Sequence, residues 1–364
     1  MPLLINIFAN KTENMSNESS AQKFTDVNEL GEFGLIEHLT KDLKTYQPSS
    51  VLTIGDDAAV IDEGGHYTLV STDSLVEGIH FDLMYTPLKH LGYKSVIVNL
   101  SDIYAMNGRP RQIVLSLAFS SKYTVEALEE FYSGVRLACD QYKVDLVGGD
   151  MTSAPRGMMI NITAIGWSDK TKTVFRSGAQ VGDLICVTGD LGGAYLGLQI
   201  LEREKEVFLT DPNAQPELDD FHVLVGKQLK PEARADAIDM FEQAQFVPTS
   251  MIDISDGLAS ELFHICQQSK TGALIEESKV PIHSQTEKLA FDFRLDPITC
   301  ALSGGEDYEL LFTARQEDFE KVKYFTDTAI IGKVTASDKG IKLLSSGGKM
   351  HTIKAQGWNH FQHP

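Results

Sequence analysis

The chain has 364 residues, of which 42% are hydrophobic and 23% charged; this composition is typical of a globular protein and excludes fibrous and disordered classes. The length exceeds the roughly 250–300 residues at which a single core stops growing, so it predicts two domains. The formal net charge of −19 argues against a nucleic-acid partner, because such binding needs clustered Lys and Arg.

The sequence also predicts no membrane contact and no export. No apolar run approaches the roughly 20 residues of a membrane span, and the four cysteines lack any paired C-x-x-C spacing. Both features favour a cytoplasmic protein. Residues 10–22 are polar and rich in Ser and Asn, and a disordered tail is predicted over residues 1–24.

The remainder alternates β-like runs with helical stretches, which is the pattern of an α/β or mixed α+β fold. A first domain is predicted over residues 25–167 and a second over residues 168–364. The first has predicted strands at 50–54, 67–71, 111–119, 144–147 and 158–165, and predicted helices at 87–106 and 125–141. In the second domain, residues 181–189 are predicted to form a turn followed by a strand. Further strands are predicted at 308–313 and 330–334, helices at 194–201 and 259–268, and an acidic loop at 211–220.

Carboxylates concentrate in short polar segments at predicted strand ends. Asp56 and Asp57 follow the first predicted strand, and two adjacent carboxylates repel each other unless a cation or a donor offsets them. Ser71, Thr72 and Asp73 end the next strand and form a set of hard oxygen ligands suited to Mg²⁺. An ordinary turn would explain the first segment equally well, so neither segment decides the function by itself.

Two further segments of the first domain add carboxylates beside apolar sequence. Asp102 lies within a predicted apolar helix, where a buried carboxylate needs a partner, although an exposed stripe would also accommodate it. Gly148, Gly149 and Asp150 end a predicted strand, and the two glycines would let the backbone approach a phosphate.

The second predicted domain repeats this concentration of acidic side chains. Asp253, Ser255 and Asp256 stand at a predicted strand-to-helix junction that could hold an anion and its cation, although Asp256 could simply cap the helix. Residues 303–309 form an acidic segment with two glycines, either a substrate loop or a plain turn. Arg176 offers a bidentate fork for a phosphate, or else a surface salt bridge.

So many separate carboxylate segments would concentrate like charge unless several metal ions lie among them, which indicates phosphate chemistry. The sequence lacks the G-x-x-x-x-G-K-[ST] loop, the protein-kinase signatures and the G-x-S-x-G elbow. In their order, the motifs resemble those of thiamine-monophosphate kinase, a family of the aminoimidazole-ribonucleotide synthetase-like superfamily. The segments that carry the resemblance are Gly55-Asp56-Asp57, Ser71-Thr72-Asp73, Asn99-Leu100-Ser101-Asp102, Val147-Gly148-Gly149-Asp150, Asp253-Ile254-Ser255-Asp256-Gly257-Leu258 and Gly304-Gly305-Glu306-Asp307-Tyr308-Glu309.

The resemblance implies a two-domain fold, with an N-terminal sheet domain that dimerises and a C-terminal α/β domain, and cytoplasmic synthesis of thiamine diphosphate with ATP and several Mg²⁺ ions. It implies metal ligands at Asp57, Ser71, Thr72, Asp73, Asp102, Asp150, Asp253 and Asp256. It implies ATP contacts from Tyr132, Gly149, Asp150, Arg176 and Ser255. It implies thiamine monophosphate contacts from His80, Glu306 and Trp358, although His80 could be a satisfied polar residue and Trp358 could pack in a core.

The expected chemistry needs no catalytic acid or base. The acceptor phosphate is already largely ionised at pH 7, because the second pKa of a phosphomonoester is about 6. Metal ions that bridge donor and acceptor offset the repulsion between two polyanions, so direct in-line transfer with release of ADP is expected. Other enzymes of the superfamily, and a non-catalytic nucleotide-binding protein with the same fold, remain the alternatives.

Overall fold

The computed structural model of the protein describes residues 27–354. These residues divide into two compact units, 27–43 and 44–354. The first unit contains helix α1 (Val27–Thr40), which is interrupted at Gly31, where the backbone has φ 65° and ψ 179°. The predicted tail at 1–24 and the predicted substrate residue Trp358 lie outside the described residues.

In the second unit, the first half of the chain forms a six-stranded sheet with two helices. The strands are β1 (Ser50–Leu52), β2 (Ala59–Asp62), β3 (Tyr67–Val76), β4 (Arg109–Phe119), β5 (Asp145–Ser153) and β6 (Met158–Ser168). The helices are α2 (Leu88–Ala105) and α3 (Val125–Tyr142). The strand order is β1-β2-β3-β6-β4-β5, with β4 and β5 parallel and the other neighbours antiparallel.

One face of this sheet packs on α2 through alternate apolar side chains such as Leu69, Leu115 and Ile162, which are all buried. Because side chains alternate between the faces of a strand, their neighbours point to the other face, where Val114 and Ile165 are only half-buried. Edge strand β5 is exposed along its whole length.

Helix α2 is the central helix of this half. Its own buried apolar residues, including Leu91, Ile97 and Leu100, lie on several sides of the helix, as expected for a helix that is covered on those sides. Gly134 lets α3 approach closely, because a Cβ atom at that position would lie 1.8 Å from the Lys89 carbonyl oxygen. Polar side chains on so enclosed a helix need partners inside the structure.

The second half of the chain forms a seven-stranded sheet surrounded by helices. Its strands are β7 (Leu184–Thr188), β8 (Ser250–Asp253), β9 (Thr271–Glu276), β10 (Leu310–Ala314), β11 (Thr328–Ala336), β12 (Ile341–Leu344) and β13 (Met350–Thr352). Its helices are α4 (Gly193–Thr210), α5 (His222–Leu229), α6 (Ala235–Gln243), α7 (Leu258–Ser269), α8 (Ser284–Asp292), α9 (Pro297–Ser303) and α10 (Phe319–Val322). The order is β13-β12-β9-β11-β7-β10-β8, and β9 and β12 form the parallel pair.

The predicted fold class is confirmed as a mixed α/β architecture with two sheets. Three predicted details are wrong. The Ser71–Asp73 and Gly148–Asp150 segments lie inside β3 and β5, because both strands continue through their polar residues, and the helix predicted at 194–201 extends to Thr210. No helix in the described part of the chain is long and apolar enough to cross a membrane.

Candidate active site

Three aspartates from distant parts of the chain meet where the two halves come together. Asp57 lies in the loop between β1 and β2, Asp102 on α2, and Asp253 is the last residue of β8. Each offers a carboxylate oxygen within 4.8 Å of the other two. Like charges this close repel strongly unless a cation or protons offset them. We call these three residues the carboxylate cluster.

Serine hydroxyls fix the orientation of two members of the cluster. Ser71 Oγ donates a short hydrogen bond to Asp102 Oδ2, and Ser101 Oγ donates to Asp253 Oδ2 at 2.6 Å. Each bond occupies one oxygen of its carboxylate. Ser71 therefore lies beside the cluster, and its role as a metal ligand stays a prediction. Ser101, one residue before Asp102, was not predicted as a site residue.

Arg176 binds the third member. Its Nη2 and Nε atoms donate to Asp57 Oδ1 at 2.6 and 3.1 Å, and its backbone N–H donates to the Asp56 carboxylate at 3.2 Å. The Asp57 side chain is fully buried and that of Arg176 is 17% exposed, so the surface salt bridge considered from the sequence is wrong. Asp57 Oδ2 is buried and receives no hydrogen bond from the described residues.

The electrostatics follow from burial and crowding. Burial, followed by the charge of Asp57, raises the pKa of Asp253 to about 7 and that of Asp56 to about 7. Burial, followed by the charges of neighbouring aspartates, raises the pKa of Asp102 well above its usual value. At neutral pH the cluster therefore either holds protons or holds a cation.

Glu261 is a further buried carboxylate near the cluster, and the sequence did not predict it. It lies in the first turns of α7, is only 2% exposed, and its Oε1 accepts from the Asp256 backbone N–H at 2.8 Å. Burial, followed by the charge of Asp256, raises its pKa well above the usual value. A Glu within the apolar run that follows Asp256 and Gly257 is the signal that could have indicated it.

Glu306 stands at the other end of the site, in the loop between α9 and β10. Lys94 Nζ donates to its Oε2 at 2.8 Å and Gln228 Nε2 to the same oxygen at 2.5 Å. The sequence reasoning missed both donors. Glu306 and Tyr308 both have positive φ angles, which are unusual for residues other than glycine. Whether residues 303–309 form a substrate loop or a plain turn stays a prediction.

The side chains of the consecutive residues Thr72 and Asp73 point to opposite faces of β3. The Asp73 backbone N–H donates to Asn99 Oδ1 at 3.0 Å, and its negative charge raises the pKa of Asp102, which places Asp73 beside the cluster. The Thr72 hydroxyl instead lies 3.0 Å from the Thr163 hydroxyl and donates to the Ile162 carbonyl oxygen at 3.0 Å. The structure therefore does not bring the Thr72 hydroxyl to the cluster.

Gly149 and Asp150 lie on the exposed edge strand β5. A Cβ atom at Gly149 would lie 1.8 Å from the Leu115 carbonyl oxygen, so the pairing of β5 with β4 itself requires glycine here. Asp150 pairs with Ser116 in the β4–β5 register. The proposed phosphate and metal contacts of these two residues stay predictions.

The remaining predicted residues are half-buried. Tyr132 lies on α3, with its ring 5.8 Å from that of Phe131. His80 Nδ1 accepts from the Val76 backbone N–H at 3.0 Å, so its polar character is at least partly satisfied within its own loop. Ser255 lies two residues beyond Asp253, between β8 and α7. Their predicted roles toward ATP and thiamine monophosphate stay predictions.

Comparisons with known proteins identify the class. The family models for the N-terminal and C-terminal domains of AIR synthase related proteins match residues 55–168 and 180–343. Two sheets with acidic segments between them therefore define an AIR synthase related protein.

Within that class, the chain belongs to the thiamine-monophosphate kinase family. It is 34% identical over 334 residues to the thiamine-monophosphate kinase of Aquifex aeolicus, covering 92% of this chain and 99% of that protein. It is 35% identical over 344 residues to that of Bacillus subtilis, covering 92% and 100%. The solved structure of AaThiL complexed with AMPPCP and TMP has a TM-score of 0.79 and 33% identity, covering 93% of this chain and 99% of that one. The resemblance seen in the motifs is thereby confirmed.

Proposed function

We propose that the protein is a kinase that transfers a phosphoryl group from ATP to thiamine monophosphate, giving thiamine diphosphate and ADP. The observation that carries this proposal is the carboxylate cluster, placed between the two halves of a chain that belongs to this family. The solved relative holds AMPPCP, an analogue of ATP, together with TMP, which supports both substrates.

The residues of the cluster fit a hard divalent cation such as Mg²⁺. All three members offer carboxylate oxygens, which Mg²⁺ prefers, and the buried Asp57 Oδ2 has no hydrogen-bond donor among the described residues. Asp57, Asp102 and Asp253 would hold the ion. The family resemblance adds Ser71, Thr72, Asp73, Asp150 and Asp256 as ligands of several ions, although the Thr72 hydroxyl lies against Ile162 and Thr163 and not at the cluster. When bound, Mg²⁺ supplies charge neutralisation and alignment of the two phosphates.

The protein's own groups prepare this site. Ser71 and Ser101 each hold one oxygen of a carboxylate, which fixes the orientation of the other. Arg176 uses two of its five N–H donors on Asp57, so donors remain on the same guanidinium for a phosphate oxygen of ATP. No acid or base is needed, because the acceptor phosphate oxygen is already ionised at neutral pH.

The decisive experiment is detection by mass spectrometry of thiamine diphosphate formed from ATP, Mg²⁺ and thiamine monophosphate. The wild-type protein should form it and Asp102→Asn should not. A folded wild-type protein that gives no product would overturn the proposal. ADP release that does not depend on thiamine monophosphate would favour the superfamily alternatives. Rapid-quench trapping of a labelled protein intermediate would contradict direct transfer.

We further propose a cytoplasmic homodimer that forms through the first sheet. The half-buried apolar residues Val114 and Ile165 on its outer face, and the exposed strand β5, support this surface. Ile165→Glu should convert the dimer to a monomer in light-scattering measurements. Val181→Glu, at an exposed residue outside the first sheet, is the control and should leave the dimer intact. A wild-type monomer at micromolar concentration would contradict the proposal.

A further inference from the structure

Lys94 is a buried cation outside all the motifs that carry the family resemblance. It lies on α2, and its side chain is only 5% exposed. Its ammonium group donates to the Gln228 carbonyl oxygen at 3.0 Å and to Glu306 Oε2 at 2.8 Å. A buried ammonium group is costly unless it is paired and hydrogen-bonded, so the position of Lys94 is explained by its contact with Glu306.

Gln228 reaches the same carboxylate oxygen. Its Nε2 donates to Glu306 Oε2 at 2.5 Å, whereas its own Oε1 is buried and has no partner among the described residues. An unsatisfied buried amide oxygen is unfavourable, so the contact with Glu306 determines the orientation of Gln228. Both donors therefore hold Oε2. Oε1 receives no donor from the described residues, and the Glu306 side chain is 28% exposed.

The backbone of Glu306 is attached to the segment that follows Asp253. Its N–H donates to the Ser255 carbonyl oxygen at 2.7 Å, and the N–H of Tyr308 donates to the Ile254 carbonyl oxygen at 2.9 Å. These bonds hold Glu306 at a φ angle of 59°, a conformation that persists only where the surroundings enforce it. The loop and the cluster thus share one rigid support.

Helix α2 joins the two ends of the site. Lys94 and Ser101 are seven residues apart, which is two turns and a rise of about 10.5 Å along one face of the helix. Lys94 binds Glu306 and Ser101 binds Asp253. One face of one helix therefore sets the spacing between the exposed carboxylate and the carboxylate cluster.

We propose that Lys94 and Gln228 are positioning residues that hold Glu306 by Oε2, so that Oε1 receives the cationic organic part of the acceptor substrate at a fixed distance from the carboxylate cluster. A ring cation such as a thiazolium is the chemical class that suits a carboxylate held in this way. The inference rests on the proposed kinase function and on the substrate contact that the family resemblance assigns to Glu306.

The test uses the full-length protein and separates the two substrates. Lys94→Met should raise the KM for thiamine monophosphate about tenfold or more and leave the KM for ATP within about twofold. Gln228→Leu should raise the KM for thiamine monophosphate by a smaller factor. Lys227→Met is the matched control, because Lys227 precedes Gln228 on α5 and pairs with Asp190 at 2.8 Å. It should leave both constants within about twofold.

A double-mutant cycle distinguishes positioning from general destabilisation. If Lys94 acts through Glu306, Lys94→Met should add almost nothing to the effect of Glu306→Gln on the equilibrium binding of thiamine monophosphate measured by calorimetry. Additive effects, or equal losses toward both substrates, would overturn the inference. If Lys94→Met fails to fold, as judged by its thermal transition, the cycle of Gln228→Leu with Glu306→Gln decides in the same way. A wild-type protein inactive on thiamine monophosphate would instead sink the proposed function.

Discussion

Asp102→Asn should stabilise the metal-free protein while it abolishes the reaction. The substitution keeps the shape of the side chain and an acceptor for the Ser71 hydroxyl, but removes one charge from the cluster. Two unit charges at 4.8 Å, the upper limit of the separations within the cluster, repel by about 3.5 kcal/mol at an effective dielectric constant of about 20. Protonation of a neighbour limits the cost that is realised, so we expect a gain of about 1–3 kcal/mol at pH 7.5. Thermal unfolding in EDTA would show this as an increase in Tm of about 1–4 °C.

Added Mg²⁺ should reverse the order of the two proteins. If the cluster holds Mg²⁺ as proposed, the ion should raise the Tm of the wild-type protein, which offers it three carboxylates, more than that of Asp102→Asn. At pH 5 the difference in EDTA should shrink, because burial and the neighbouring aspartates raise the pKa of Asp102 well above its usual value and the wild-type group is then protonated. A variant less stable than wild type in EDTA at pH 7.5 would refute the reasoning that repulsion dominates this site.

Three further predictions concern Asp253, its donor Ser101, and the glycines of edge strand β5. Burial raises the pKa of Asp253 from 3.8 to about 7, so the metal-free folded state binds an extra proton and its stability should fall as the pH rises from about 4 to about 7. Because that proton competes with Mg²⁺, calorimetry should show the Mg²⁺ affinity falling about tenfold for each pH unit that the pH is lowered below 7. Ser101→Ala removes a donor to this carboxylate and should cost about 1–3 kcal/mol in denaturant unfolding in Mg²⁺, and an unchanged midpoint would contradict the importance of that bond. Gly149→Ala should destabilise by about 1–3 kcal/mol because its Cβ would meet the Leu115 carbonyl oxygen, whereas Gly148→Ala meets nothing within 4 Å and should change the midpoint little.

The sequence predicted the residues of the cluster better than their surroundings. Asp57, Asp102 and Asp253 stand out because adjacent acids, or an acid in an apolar run, are locally unusual. Their partners are ordinary in local sequence. Arg176 meets Asp57 across 119 residues, and no local pattern could show that its fork would bind a carboxylate of the protein.

The strand boundaries failed for a related physical reason. Sequence reasoning ended strands β3 and β5 at their first polar residues, because polar groups usually mark turns. In the structure, polar residues continue both strands, since one face of β3 meets the acidic site and β5 is exposed at a sheet edge. The short strand β2 was missed because its four residues are too few to show a period.

The two contacts made by α2 also bear on how the protein folds. Ser101 meets Asp253 across 152 residues and Lys94 meets Glu306 across 212, so neither contact can form before most of the chain has been synthesised. Contacts between residues so far apart in sequence form late, because closing a long loop costs conformational entropy. A growing chain on the ribosome would carry the first sheet long before it carries a complete site.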